Sequence, residues 1–174
     1  MGLVKGLFSL IVLISSSLLG ILYGGVFSKR ERSLKDLEYN IRLLESEIIA
    51  GNSTLPLALE NTYKKGKGEI KNVFLSIKED LLDNGREDIF KSFIAQENLL
   101  QKKYMLKKED ISIFLFLGKI LGKTNKEDQQ KNLHFIIKQI QNIKEEASLE
   151  KNNNVKLYRT LGVLLGVGII IIMI

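Results

Sequence analysis

Few side chains in this sequence of 174 residues could carry out chemistry. The chain has one histidine, His134, and no cysteine. An isolated imidazole beside apolar residues is typical of the boundary of a core rather than of a metal or catalytic site. Without cysteine, neither disulfides nor thiolate metal sites can form. We therefore predict no catalytic residue and no metal site.

The acidic residues include five adjacent pairs, which also argue against a catalytic site. Neighbouring residues on a helix do not face each other, so the two carboxylates of such a pair cannot act on one substrate atom. Near helix starts they suit the helix dipole instead. The five pairs are Glu79–Asp80, Glu87–Asp88, Glu109–Asp110, Glu127–Asp128 and Glu145–Glu146.

A lysine-rich run at residues 64–68 has the sequence KKGKG, which could suggest a phosphate-binding loop. It lacks a preceding strand and a Gly-Lys-Ser/Thr ending, so we interpret it as a solvated loop. The net charge is +6, but the lysines are scattered between acidic residues, which disfavours nucleic-acid binding. The sequence thus predicts a protein that is not an enzyme and has no cofactor, no small-molecule substrate and no nucleic-acid partner.

Small residues at helical spacing are the remaining candidates for function, through helix packing. Two apolar segments carry them, and in lipid such faces let helix backbones approach closely and drive pairing. Glycine is also common in membrane helices without any such role. Pairing between the two segments and pairing with another protein both stay open. The residues are Ser16, Gly20 and Gly24 in the first segment and Gly162 and Gly166 in the second.

Both segments are free of charge, from residue 6 to 28 and from 160 to 174. At 1.5 Å rise per residue the first would extend roughly 35 Å, enough to cross a bilayer core of about 30 Å. Its apolar part is too long for a cleaved signal peptide, and no A-x-A-like site follows. The second is shorter, about 22 Å, but its run GIIIIMI offers no polar face to solvent. Tyr158 and Arg159 can sit at the interface. We predict membrane helices over residues 1–28 and 160–174.

All acidic residues, and all basic ones except Lys5, lie between these two segments. Because basic residues next to membrane helices favour the cytoplasmic side, they place residues 29–159 in the cytoplasm and both tips on the far side. The basic residues next to the segments are Lys29, Arg30, Arg32, Lys35, Lys156 and Arg159.

Residues 29–159 show helical periodicity and no strand alternation, so we predict an all-α domain. The expected architecture is an antiparallel bundle of about six helices, the first and last continuous with the membrane helices. The apolar stripes start from Leu34, Leu57, Ile70, Ile89, Ile111 and Leu133.

Helix boundaries follow from capping residues. Gly51 should end the first helix, with Asn52 or Ser53 capping the next and Pro56 in its first turn. The helix from Ile89 could run on to Leu100. Thr124 with Glu127 resembles a capping box that opens the last helix. A bend is expected at residues 152–154, three consecutive asparagines.

Three stretches together resemble the stage III sporulation protein AB family of endospore-forming bacteria. The first, LKDLEYNIRLLESEIIAGNSTLPLALEN, is similar to a family signature of a long helix followed by Gly and Pro-Leu. The second, FLGKILGKTNKEDQQKNLHFIIKQI, has its paired glycines and acidic-Gln cap. The third is the final segment with its terminal anchor. Outside the membrane segments, the matching positions are Glu47, Gly51, Pro56, Leu57, Gly118, Gly122, Glu127 and Gln130.

This resemblance implies a domain similar to the cytoplasmic helical bundle of type II secretion and type IV pilus platform proteins. It implies a place in the stage III sporulation A assembly, made in the mother cell, which forms a channel to the forespore. The implied partners are the other components of that assembly, above all its secretion-type AA ATPase. Self-association of the chain is left open.

Two other functions remain to be weighed. The first alternative is a membrane-tethered signalling adaptor or sensor with a helical stalk. It would need a sensing domain on the far side, for which few residues outside the bilayer remain. The second alternative is a membrane-bound nucleic-acid tether that uses the scattered lysines, and it would show salt-dependent DNA binding.

Overall fold

The computed structural model describes residues 2–83, 89–121 and 126–173, and every regular element among them is helical. This confirms the all-α prediction. The helices are α1 Gly2–Ile49, α2 Leu55–Lys65, a 3₁₀ turn Glu69–Lys71, α3 Asn72–Asp83, α4 Ile89–Ile94, α5 Glu97–Lys102, α6 Lys108–Ile120 and α7 Lys126–Met173.

The first and last helices are each continuous with an apolar segment, as predicted. The three asparagines at residues 152–154 lie inside α7 without a break. The side chain of Asn154 donates to the carbonyl oxygen of Glu150 at 2.9 Å, one turn earlier, so its amide has a partner within the helix. We expected a bend at residues 152–154, but the helix continues through them without interruption.

The end of α1 differs in detail from the prediction. The N–H groups of Ala50 and Gly51 both donate to the carbonyl oxygen of Ser46 at 3.0 Å. Gly51 follows the helix as expected, but the left-handed residue is Asn52, with φ of 49°. Asparagine tolerates this conformation better than most residues. The cap of α2 is consequently Thr54 rather than Asn52 or Ser53, and Pro56 lies in the first turn as predicted.

The predicted fourth helix is divided in two. It stops at Ile94 and resumes at Glu97, and the N–H of Gln96 donates to the carbonyl oxygen of Phe93 at 3.1 Å in between. Phe93 and Leu100 are both fully buried, whereas Ile94 is 41% exposed. The prediction that one helix could run from Ile89 to Leu100 is therefore wrong. No glycine or proline marks the break.

The chain forms two compact units, which we call the terminal unit (residues 1–31 and 146–174) and the central unit (residues 32–145). The central unit has a closely packed core. Phe114 lies at its middle, with its ring centroid 5.0 Å from that of Phe93 and 6.2 Å from that of Phe74. Fully buried residues of α1 and α7 complete this core, namely Leu34, Leu37, Ile41, Leu44, Leu133, Ile136 and Ile140.

The terminal unit has the opposite character. Its two helical segments run antiparallel, and most of their large apolar side chains face outward, up to 86% exposed at Ile172. Both helices are long and apolar enough, by length and composition, to cross a membrane, and little of either apolar stretch is buried. A surface of this kind is stable only where water is excluded from it.

Candidate functional site

Glu47, in the last turn of α1, collects donors from the segment that follows. Its carboxylate accepts hydrogen bonds from Asn61 and Lys65 at 2.7 Å and from Ser53 at 3.4 Å. The hydrogen bond from Lys65, followed by that from Asn61, lowers the pKa of Glu47 below its ordinary value. Glu47 therefore stays ionised and ties the end of α1 to α2.

Pro56 and Leu57 occupy the start of α2, and their surroundings differ. Pro56 is half-buried in the first turn, where its missing N–H costs nothing. Leu57 is 48% exposed, while Ala58 and Leu59 beside it are fully buried. Leu57 thus does not belong to the core stripe of α2.

The lysine-rich run is held in place rather than freely solvated. The buried side chain of Asn40, on α1, donates to the carbonyl oxygen of Lys67 at 3.0 Å and accepts from its N–H at 2.8 Å. Gly68 has φ of 65°, and a side chain there would collide with the carboxylate of Asp36. Tyr39 also contacts the run, with the Lys67 ammonium 4.2 Å from its ring centroid. The loop is confined to residues 66–68, because Lys64 and Lys65 still belong to α2, and it has a defined conformation.

The second predicted group of site residues is only partly described. Gly118, on α6, is buried, and a Cβ placed there would lie 2.6 Å from the Phe93 ring. Gln130 is exposed on α7 and lines a shallow depression with Glu45, Lys131 and His134. Gly122, Thr124 and the side chain of Glu127 lie outside the described residues. The structure thus gives Gly118 a packing reason, whereas Gln130 lies on the surface.

Ion pairs connect the helices of the central unit. Glu38 lies between Lys144, at 2.6 Å, and Arg42, at 3.0 Å. Burial acts to raise the pKa of Glu38, but the hydrogen bonds from Lys144 and Arg42 outweigh it, so the pKa is lowered. The hydrogen bonds from Lys64 and Lys78 lower the pKa of Glu60 to about 2. Both carboxylates are therefore ionised near neutral pH, and their ion pairs connect neighbouring helices.

The small residues of the terminal unit bring its two helices into contact. The Cβ that either Gly20 or Gly162 lacks would lie 3.1 Å from the Cα of the other. A Cβ on Gly166 would collide with the hydroxyl of Ser16, and one on Gly24 would lie 3.4 Å from the Cα of Val155. In the terminal unit, four of the five predicted packing residues thus face each other, and the fifth, Gly24, faces Val155.

The contact between the two helices of the terminal unit extends beyond the small residues, toward the charged part of each helix. Aromatic rings and ion pairs form this part of the contact. The ring of Tyr158 stacks on Tyr23 and Phe27, with centroids 6.1 and 5.8 Å apart. Arg30, whose side chain is 6% exposed, pairs with Glu150 at 2.7 Å. A buried guanidinium needs such a partner, since an unpaired buried charge is costly.

The sequence did not identify two of these polar residues, Asn40 and Arg30, as part of the packing between helices. Asn40 carries a weak signal, because asparagine is a poor helix former in the interior of a helix. Arg30 was used only as one of the basic residues that predict the orientation in the membrane. Its burial depends on α7, which is far along the chain. Among the described residues, no group of three or more potential metal ligands comes together.

The profile of the stage III sporulation protein AB family matches residues 5–174. The chain belongs to the stage III sporulation protein AB family. It is 23% identical, over 98% of its own length and 99% of the relative's, to stage III sporulation protein AB of Bacillus subtilis (strain 168). Family membership gives the chain a role in sporulation and indicates partnership with other components of the sporulation complex.

The fold of this family member agrees with a solved structure. A chain described as stage III sporulation protein AB superposes with a TM-score of 0.64 and 21% identity. The match covers 72% of this chain and 98% of the solved one. The resemblance found from the sequence is thus confirmed at the level of family and fold.

Proposed function

We propose that this chain is a non-enzymatic membrane platform of the stage III sporulation A assembly. The observation that carries the proposal is the contrast between the two units. The terminal unit presents apolar side chains outward from a pair of helices in contact, and the central unit is a packed bundle with a charged surface. Such a chain can hold a folded domain at a membrane and offer it to other proteins.

The proposed domains are membrane helices at residues 1–28 and 160–174 and a cytoplasmic bundle at residues 29–159. The basic residues that flank both apolar segments support this orientation in the mother cell. The proposed partner of the bundle is the assembly's AA-type ATPase, and the chain would couple it to the membrane components. The side-chain contacts around Glu47 support a rigid bundle, which can transmit force.

The test is co-purification of the ATPase with the full-length chain from sporulating cells in mild detergent. We expect the ATPase to be retained by the intact chain and lost when residues 34–150 are deleted. The control is Asn98→Ala, which shortens one exposed side chain on α5 and should retain the ATPase. Normal spore formation by cells that carry only the deleted form would contradict the proposal.

A further inference from the structure

The terminal unit carries a shallow depression on α7 whose lining is basic. Two neighbouring rows of the helix form it, in which residues follow one another at a spacing of four and so lie on one face. Three cationic side chains and two neutral hydrogen-bonding ones contribute to it. No acidic residue follows Glu150 in the sequence. The lining residues are Lys151, Asn152, Val155, Lys156, Arg159 and Thr160.

Two of these cations have no acidic partner in the part of the chain that the structure describes. Lys156 and Arg159 are both exposed, and neither pairs with a described carboxylate. The acidic residues nearest to them along the two helices are engaged elsewhere, Glu31 with Lys151 and Glu150 with a buried arginine. The depression therefore presents two positive charges that can accept an anion.

The register of the two helices places these charges beside an apolar part of α1. A Cβ on Gly24 would lie 3.4 Å from the Cα of Val155, and one on Gly20 would lie 3.1 Å from the Cα of Gly162. Because the helices run antiparallel, the two unpaired cations lie level with residues 20–24 of α1. The charge-free segment of α1 continues to residue 28. At 1.5 Å rise per residue, these cations lie about 6–12 Å inside the length of that segment.

Exposed apolar side chains of α1 occupy the same level. Ile21, Leu22 and Tyr23 are between 50% and 63% exposed. One level of the helix pair thus combines an apolar surface on α1 with two unpaired cations on α7. Near hydrocarbon, such cations are stable only if their long side chains reach an anionic group. A phospholipid supplies both parts, because its acyl chains match the apolar surface and its phosphate matches the cations.

We propose that this level of the terminal unit binds an anionic phospholipid, with its headgroup phosphate in the depression on α7. Lys156 and Arg159 would contact the phosphate, and Asn152 and Thr160 can donate hydrogen bonds to the headgroup oxygens. Basic pockets next to membrane helices bind such headgroups. A zwitterionic lipid is disfavoured, since its ammonium group would face the same two cations.

This inference rests on the proposed function, because it requires the terminal unit to lie in a membrane. The chain has no tryptophan, so a single introduced tryptophan reports the lipid beside it. Val163→Trp places one at a 45% exposed position, one turn beyond Arg159 on the same face of α7. Ile171→Trp, about two turns further on that face and 70% exposed at the native residue, is the control.

Each full-length variant is reconstituted in vesicles of phosphatidylcholine and phosphatidylglycerol, in which one of the two lipids has brominated acyl chains. Bromine quenches tryptophan fluorescence on contact, so the two quenching curves give the relative binding constant of the anionic lipid. We expect Val163→Trp to prefer phosphatidylglycerol by about threefold or more, because each cation near the lipid phosphate adds to the attraction. Ile171→Trp should show a ratio near one.

The charge requirement is tested in the Val163→Trp chain. Lys156→Gln with Arg159→Gln should bring the ratio close to one, and Lys156→Arg with Arg159→Lys should preserve the preference. Lys131→Gln with Lys138→Gln removes the same charge from exposed positions of α7 in the central unit, and it should also preserve the preference. Circular dichroism of each reconstituted variant shows whether the helices remain intact.

Several outcomes would overturn the inference. They are a ratio near one at Val163→Trp, an equal preference at both tryptophans, and a preference that survives Lys156→Gln with Arg159→Gln. Quenching of Ile171→Trp alone would show that a protein segment covers the depression. Any of these results with retained co-purification of the ATPase would refute the lipid site alone. Quenching of neither tryptophan by either lipid would contradict the proposed membrane placement itself.

Discussion

Asn40 shows how a single buried amide can order a loop. It uses its donor and its acceptor on the same residue, Lys67, and so fixes the run at residues 64–68 against α1. The lysines of that run then have defined directions, with Lys65 on Glu47 and Lys67 over the ring of Tyr39. The positive charge of the run is thus part of the bundle and not a flexible basic tail.

We expect Asn40→Ala to destabilise the central unit by about 1–3 kcal/mol, because it leaves the N–H and the carbonyl of Lys67 without their buried partner. Hydrogen exchange at residues 64–71, measured on the full-length chain in detergent, should become faster. Asn98→Ala, which changes an exposed side chain, is the control and should leave exchange in this segment unchanged. Equal exchange in both variants would show that the loop is ordered by other contacts.

The lowered carboxylate pKa values predict loss of stability in acid. A group whose pKa is lower in the folded state than in the unfolded state stabilises the fold above its unfolded value, and this contribution disappears as pH falls. For Glu60 this stabilisation is lost as the pH falls from its ordinary pKa of 4.5 to its pKa in the folded chain, which is about 2. Glu38 and Glu47 shift in the same direction.

The free energy of unfolding should therefore fall between pH 5 and pH 2. Glu60→Gln should be less stable than the wild type at pH 7, and the difference should shrink toward zero near pH 2. Denaturant titrations at several pH values measure this, with Glu97→Gln as the control because the carboxylate of Glu97 is exposed on α5. A difference that stays constant with pH would contradict the assigned ion pairs.

At the scale of elements, the long helices could be predicted because their apolar residues recur at helical spacing and their ends carry turn residues. The break after Ile94 could not, since it lacks a glycine or proline and depends on which side chains the bundle can bury. Leu57 was misplaced for a related reason, because Ala58 and Leu59 take the buried positions of α2.

The site residues also divide into those that the sequence could predict and those that it could not. The small residues of the terminal unit could be found by spacing alone, because close backbone approach requires them at regular intervals. Gly118 was found by resemblance, and its physical role is visible only once Phe93 is seen against it. The role of Asn40 depends on Lys67, 27 residues away in the chain, and its low helix propensity is only a weak signal of that role.

The contact between the two apolar helices predicts a specific cross-link. The ideal Cβ of residue 24 lies 3.4 Å from the Cα and 3.7 Å from the Cγ1 of Val155. Residues 24 and 155 are thus near enough for a disulfide, whose two Cβ atoms lie about 3.5–4.5 Å apart. Because the native chain has no cysteine, the double variant Gly24→Cys with Val155→Cys should form an intramolecular disulfide in lipid when oxidised. Its formation is seen as a shift on a non-reducing gel.

The matched control is Gly25→Cys with Val155→Cys, since a Cβ at residue 25 has no neighbour within 4 Å. Addition of Gly20→Leu to the first pair should lower its yield, because the larger side chain forces the helices apart. Intermolecular disulfides in place of the intramolecular one would indicate that the glycine faces pair between chains.

At the scale of the whole molecule, the separation of charge predicts topology. The proposed orientation places residue 76, on α3, in the cytoplasm and residue 174 on the far side of the membrane. In intact cells, a membrane-impermeant thiol reagent should label Ile174→Cys and fail to label Ser76→Cys. Permeabilised cells are the control, in which Ser76→Cys should react. Labelling of Ser76→Cys from outside intact cells would reverse the proposed orientation.

The ion pairs next to the apolar helices also restrict how those helices can move. Arg30 pairs with Glu150, and the adjacent Glu31 pairs with Lys151 at 3.5 Å. A slide of one helix along the other would separate the buried Arg30 guanidinium from the carboxylate of Glu150, and an unpaired buried charge is costly. Piston-like sliding of one helix along the other is therefore opposed electrostatically. A movement that carries the two helices together keeps both ion pairs intact.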